Sequence, residues 1–194
     1  MPTRIDLPVT AERVRALRAG DEVLVSGRLV TARAAGLRRL AAQPAGFARG
    51  LLEGRFLYHC GPVVAPDAAR RGWRFVAAGP SPSLAAEPFQ AELLAATGLR
   101  GVLGKGGMGP RTLAALVEHG AVYLHVAGSL AVTLARRVVR VHGVHLLDEL
   151  GTTDALWEIE VEGFPAVVSM DAHGESLHGG AGSGVATGPA GAGA

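Results

Sequence analysis

The stretch Gly101-Val102-Leu103-Gly104-Lys105-Gly106-Gly107-Met108-Gly109-Pro110 decides how this chain folds. Gly101 to Leu103 reads as a short buried strand, and the glycines around Lys105 read as a turn. Pro110 then opens a helix at its first position, where the missing N–H of proline does no harm. That helix runs through Leu113, Leu116 and Val117 to a stop at Gly120. The next apolar run, Ala121-Val122-Tyr123-Leu124-His125-Val126, reads as another strand. Strand, turn, helix and strand in this order make a βαβ unit. Repetition of that rhythm implies an α/β domain with a mixed, partly parallel sheet.

The rhythm extends in both directions. Toward the N-terminus, Pro88 to Thr97 reads as a helix, and Trp73 to Ala78 as a strand leading into the polar turn Gly79-Pro80-Ser81-Pro82-Ser83. Phe56 to Cys60 is a short strand closed by Gly61-Pro62. Residues 32–52 look helical but broken at Pro44 and Gly46. Asp21 to Thr31 alternates like a strand, with Gly27 as a bulge, and Thr10 caps a helix that stops at Gly20. Toward the C-terminus, Leu130 to Arg137 reads as a helix. Val138 to Val144, Ala155 to Val161 and Ala166 to Asp171 read as three strands. Glu158, Glu160 and Glu162 alternate, as on the polar side of a half-buried strand. Residues 1–178 are expected to form one domain. Residues 179–194 are Gly/Ala-rich and uncharged, which predicts a flexible tail.

Composition narrows the function classes. Apolar residues make up 48% of the chain, and the formal charge is only +2. With two Trp, two Tyr and no arginine block interleaved with aromatics, nucleic-acid binding has little footprint. No apolar run reaches the roughly 18 residues of a membrane span. The segment Met1 to Asp6 lacks the apolar core of a signal peptide. The expectation is a soluble, cytoplasmic protein. The seven histidines show no HxxxH or HExxH spacing, and a lone cysteine, Cys60, cannot hold a metal or a cluster by itself. No metal site is therefore expected in this chain.

Lys105 is the only lysine among 19 basic residues. Where arginine serves everywhere else, one lysine wrapped in glycines points to a need for a compact ammonium with rotatable donors. In parallel sheets, ligands bind beyond the carboxyl ends of the strands. The loops Gly79 to Ser83 and Gly104 to Met108 stand there, each followed by a helix N-terminus that favours anions. The spacing is not that of a P-loop or of a dinucleotide fingerprint. A small carboxylate or hydroxy acid fits better than a nucleotide.

Several stretches together resemble a known family. Leu17-Arg18-Ala19-Gly20-Asp21-Glu22-Val23-Leu24-Val25-Ser26-Gly27, Thr31-Ala32-Arg33-Ala34-Ala35-Gly36-Leu37-Arg38-Arg39-Leu40 (against a family TARDAAHKRL) and Ala78-Gly79-Pro80-Ser81-Pro82-Ser83-Leu84-Ala85-Ala86 (against AGPTTSxRM) carry the first half. Gly104-Lys105-Gly106-Gly107-Met108, His119-Gly120-Ala121-Val122-Tyr123-Leu124 and Leu156-Trp157-Glu158-Ile159-Glu160-Val161-Glu162-Gly163-Phe164-Pro165-Ala166 carry the second. Over roughly residues 8 to 178 the chain resembles the β subunit of iron–sulfur hydro-lyases, the class I fumarase and L-tartrate dehydratase family.

The resemblance implies a swivelling β/β/α domain that closes over a [4Fe–4S] cluster carried by a partner α subunit, hence a hetero-oligomer. It implies reversible loss of water from a 2-hydroxy dicarboxylate, with cations stabilising the developing charge. Carried over residue by residue, it makes Lys105 catalytic and places Arg33, Ser81, Ser83, Lys105, Gly106 and Gly107 at the substrate. The departures are specific. Ala34 and Leu37 replace an aspartate and a histidine, Ser81-Pro82 replaces paired threonines, and Ala85 replaces an arginine. Three readings stay open: a working β subunit with a substrate other than malate or tartrate, a catalytically degraded structural or regulatory partner, and a stand-alone small-acid binding module.

Overall fold

Short apolar strands and amphipathic helices alternate along a computed structural model that describes residues 1–178, apart from 44, 70 and 71. The elements are β1 (Thr3–Asp6), α1 (Ala11–Arg15), β2 (Glu22–Ala32), α2 (Ala34–Ala41), α3 (Ala45–Leu52), β3 (Phe56–His59), β4 (Val63–Asp67) and β5 (Gly72–Ala77). There follow α4 (Glu87–Thr97), β6 (Gly101–Gly104), α5 (Pro110–His119), β7 (Val122–His125), α6 (Ala131–Ala135), β8 (Val138–His145), α7 (Leu147–Asp154) and β9 (Leu156–Met170).

The strands β2, β3, β6 and β7 run parallel in that spatial order. β9 pairs antiparallel with β7 at one end and with β2 along most of its length, so the hydrogen bonding closes on itself as a five-stranded barrel. β1 extends it parallel to β2, β8 pairs antiparallel with β9, and β4–β5 form a separate hairpin. The fold is α/β with a mixed, partly parallel sheet. Strands buried on both faces lose alternation and become continuous apolar runs. That is why Phe56-Leu57-Tyr58 and Val122-Tyr123-Leu124 show no polar side.

The chain fills two cores. Inside the barrel, Val25, Leu29, Tyr58, Leu103, Leu124, Trp157, Ile159 and Phe164 interlock. Trp157 takes Trp73 and Phe75 edge-on, with ring centroids 5.5 and 5.9 Å away. Each such pair adds about 0.5–1.5 kcal/mol beyond its buried area. Between barrel and helices, Leu37 and Leu40 of α2, Leu52 of α3, Leu93 and Leu94 of α4 and Leu116 of α5 cover Val30, Leu57 and Val102.

Several expectations are corrected. The strands expected at 155–161 and 166–171 are one, β9, which runs through Gly163-Phe164-Pro165. β9 pairs with β8 over 156–161 and with β7 from 167 onward. Pro165 lies between these ladders, where a residue without an N–H is tolerated. Gly46 does not break a helix but lies inside α3. β1, β4 and α7 were not expected at all: β1 is four residues long, and α7 is interrupted at Gly151, whose φ is 67°. The bulge expected at Gly27 is present, with φ 107° and a register shift. The expected flexible tail, 179–194, lies outside the described residues.

Candidate functional site

Because β2, β3, β6 and β7 are parallel, their carboxyl ends share one end of the barrel. Arg33 follows β2, His59 ends β3, Lys105 follows β6, and the turn 126–128 follows β7. The loop after β5 is tied over this end by backbone pairing. Cys60 bridges Pro80, the Ser81 N–H donates to the His59 carbonyl at 2.7 Å, and Pro82 pairs in parallel with Lys105. The Ser83 N–H donates to the Lys105 carbonyl at 3.0 Å. The loops 79–83 and 104–107 therefore lie side by side.

On one side of Pro82 opens a cleft of about 490 Å3, lined by Arg33, Leu37, Arg38, His59, Ser81 and Ala85 among others. Arg33 stands at the start of α2 and closes its first turn by accepting from the Leu37 N–H at 2.8 Å. Its guanidinium lies 3.7 Å from the Asp154 carboxylate, and the side chain as a whole stays 44% exposed. Gly61 is required beside it, because a Cβ there would run into the Arg33 side chain. His59 is buried, its Nε2 3.1 Å from Gln90 Oε1 of α4. Burial pushes its pKa down to about 4, against the Gln90 contact that raises it. The ring is thus neutral at physiological pH.

On the other side of Pro82 lies the lysine. Its amine rests over Gly128, where a Cβ would stand 3.8 Å from Nζ. Among the described residues Lys105 has no carboxylate partner. Gly106 and Gly107 adopt φ of 83° and 77°, a region open to glycine but strained for other residues. Gly106 is exposed, whereas Gly107 is covered by the His178 ring. Gly104 packs so close to Ser83 that a Cβ would displace its hydroxyl. Ser83 is buried and away from the cleft lining, and its Oγ accepts from the Tyr123 hydroxyl at 2.9 Å. Burial raises the Tyr123 pKa to about 12, while contacts with Ser83 and the Gly107 backbone lower it. Tyr123 and Ser83 thus act as a strut that fixes the lysine loop.

The expected anion site at the start of α5 is corrected. Glu87 of α4 accepts from the Gly109 N–H at 2.8 Å, the Thr112 N–H at 3.1 Å and the Thr112 hydroxyl at 2.6 Å. The dipole and donors of that helix are answered by the protein's own carboxylate, which leaves Lys105 as the positive group of the loop.

The structure brings Arg33 and Ser81 together in the cleft, whereas Lys105, Gly106 and Gly107 do not line it and follow on the adjoining loop, which Ser83 supports from behind. Sequence reasoning missed His59, Arg38 and Asp154. Only a polar residue inside the apolar run Phe56 to Cys60 hinted at the first. Among the described residues there is no group of three or more His, Cys, Asp or Glu that could hold a metal. Cys60 is buried, and desolvation raises its pKa to about 12. A protonated, enclosed thiol does not fit a cluster ligand.

Similarity to known proteins agrees with this architecture. The Fumarase C-terminus family matches residues 2–181. A fumarate hydratase class I protein of Geobacillus stearothermophilus is 43% identical over 174 residues, covering 90% of this chain and 33% of that protein. The L(+)-tartrate dehydratase subunit beta of Escherichia coli K12 is 35% identical over 173 residues, covering 88% of this chain and 83% of that subunit. A Methanocaldococcus jannaschii protein named as the same subunit is also 35% identical, with 88% of each chain covered. The chain thus spans about a third of the fumarate hydratase relative and most of the beta-subunit relatives. With the barrel, the paired loops and these matches in agreement, the chain belongs to the fumarase C-terminus family.

Proposed function

We propose that the chain is the β subunit of a two-component cytoplasmic hydro-lyase that adds or removes water on a 2-hydroxy carboxylic acid other than malate or tartrate. Its α partner carries a [4Fe–4S] cluster, which supplies Lewis-acid chemistry at the leaving hydroxyl. The observation that carries this reading is the pairing of loops 79–83 and 104–107. It joins the loop of a lysine that has no carboxylate partner among the described residues to the rim of a cleft that holds a partly exposed arginine.

In this reading Arg33 anchors the substrate carboxylate, because a guanidinium fork matches it in two hydrogen bonds. The C2 hydroxyl and a C3 proton are lost together as water, and Lys105 stabilises the negative charge that develops at C3 as that proton leaves. Gly106 lets the exposed backbone approach the substrate, Gly107 shapes the same turn beneath the His178 ring, and Ser81 offers a hydroxyl at the cleft. Arg38, His59 and Asp154 complete the polar part of the lining, and the remainder is apolar: Ala34, Ala35, Leu37, Pro82, Ala85 and Ala86. An apolar substituent of the acid is accommodated against that part, which favours a working site with altered specificity over a degraded one.

The test is reconstitution with an α subunit and assay on a panel of 2-hydroxy acids and the matching 2-enoic acids. Turnover of a 2-hydroxy dicarboxylate that carries an apolar substituent is expected. Turnover of malate or tartrate at ordinary enzyme rates would overturn the altered-substrate reading, and silence across the whole panel would overturn the hydro-lyase reading.

A further inference from the structure

His59 sits at the floor of the cleft, and nothing in the proposed chemistry so far uses it. It ends β3 in register with Ala32, the last residue of β2, and Arg33 follows directly. Strand spacing and rise put His59 and Arg33 about 6 Å apart at their backbones. Both line the same cleft. The His59 side chain is almost wholly buried, and so is Gln90, its partner from α4.

Gln90 Oε1 lies 3.1 Å from Nε2, and the tautomer in which Nε2–H donates to it leaves a lone pair on Nδ1. That Nδ1 is buried and has no hydrogen-bond partner among the described residues; neither does the Gln90 amide nitrogen. Buried polar atoms are nearly always satisfied, and one left unmatched beside a cleft is what a ligand would complete. An imidazole kept neutral by burial offers Nδ1 as an acceptor, not as a cation.

We infer that His59 is a specificity-determining residue: Nδ1 accepts a hydrogen bond from the hydroxyl of a 2-hydroxy acid whose carboxylate is held by Arg33. The hydroxyl and carboxylate of such an acid stand on adjacent carbons, which suits two groups at the ends of neighbouring strands. The carbon chain then lies against Leu37, Ala85 and Ala86. This deepens the proposed function and rests on its reading of the cleft as the acid site, but it concerns recognition and needs no turnover.

The experiment compares 2-hydroxy-3-methylbutanoate with its deoxy analogue 3-methylbutanoate. Binding is measured by NMR titration of the full chain and of the chain assembled with its α partner. Wild type is expected to prefer the hydroxy acid by about ten- to a hundredfold, as sites built around a hydroxyl do. His59→Gln keeps a contact to Gln90 but loses the acceptor at the Nδ1 position, so the preference should vanish while the deoxy acid binds as before. His59→Asn places an amide oxygen near Nδ1 and should restore part of it. In wild type, the 15N resonance of Nδ1 should move upfield only with the hydroxy acid. Equal affinity for the two acids, binding of neither, or an unchanged preference in His59→Gln would overturn the inference. An inactive pair that still distinguishes the two acids would overturn the hydro-lyase reading alone.

Discussion

At the scale of single residues, the chemistry turns on cations and on groups that burial has silenced. Lys105 is the positive group of a loop whose neighbouring helix donors are already taken by Glu87. A guanidinium there is larger and differently oriented, so Lys105→Arg should lower kcat/KM of the assembled pair by about a hundred- to a thousandfold. Arg136→Lys, on the exposed surface, should change little. A Lys105→Arg enzyme as active as wild type would remove the lysine from the mechanism. His59 gives a prediction in stability. Unfolded, it takes up a proton near pH 6.5; folded, only near 4. Between those values the unfolded chain binds more protons, so stability falls as pH drops through this window and is intact above it. Denaturation from pH 7 to 4 should cost wild type about 3 kcal/mol more than His59→Gln. Parallel curves for the two proteins would show that the histidine is not held neutral. Cys60, buried beside Tyr58 and with its thiol pKa raised, should resist thiol reagents at pH 8 until denaturant is added. Native-state labelling as fast as that of free cysteine would contradict its burial.

At the scale of elements, α5 shows how the site is held rather than how it reacts. Glu87 bonds the first turn of α5 from α4, and charged hydrogen bonds of this kind contribute about 1.5–3 kcal/mol each. Glu87→Ala should therefore lower stability by about 2 kcal/mol and speed amide exchange at the start of α5, with α1 unaffected. Exchange that stays unchanged there would mean the cap is dispensable. Glu87 also marks the limit of what the sequence discloses. The strands around Lys105 were legible because burial on both faces leaves a continuous apolar run, and the loops 79–83 and 104–108 because glycine, proline and a lone lysine punctuate them, whereas Arg33 stood out only through the family resemblance. The capping of α5 was not legible, since its partner comes from another helix. β9 was divided in the reading because Gly163 and Pro165 look like a turn in sequence, whereas the gap between its two ladders accommodates them. His59, Arg38 and Asp154 enter the cleft only when β3, α2 and α7 meet, and α7 has neither periodicity nor an unbroken backbone to announce it.

At the scale of the whole molecule, the barrel gathers every candidate group at one end and leaves that end open. The parallel strands β2, β3, β6 and β7 all finish there, and β9 closes the wall. The groups at that end are an arginine, a lysine, a serine and a neutral histidine, which in the proposed function bind and orient an acid. None of them is suited to pull a hydroxide from a carbon, which calls for a strong Lewis acid or general acid. In the proposed function the reaction is therefore completed by a partner surface that meets this end. The beta-subunit names of two relatives, and the much greater length of the fumarate hydratase relative, are consistent with such a partner. Purified alone, the chain should be colourless and carry no iron. With an α subunit bearing three cluster cysteines it should elute as a heteromer whose iron and sulfide are accounted for by that partner. Stoichiometric iron and sulfide in the isolated chain would overturn this division of labour, because the described residues offer one enclosed thiol where a cluster needs several thiolates.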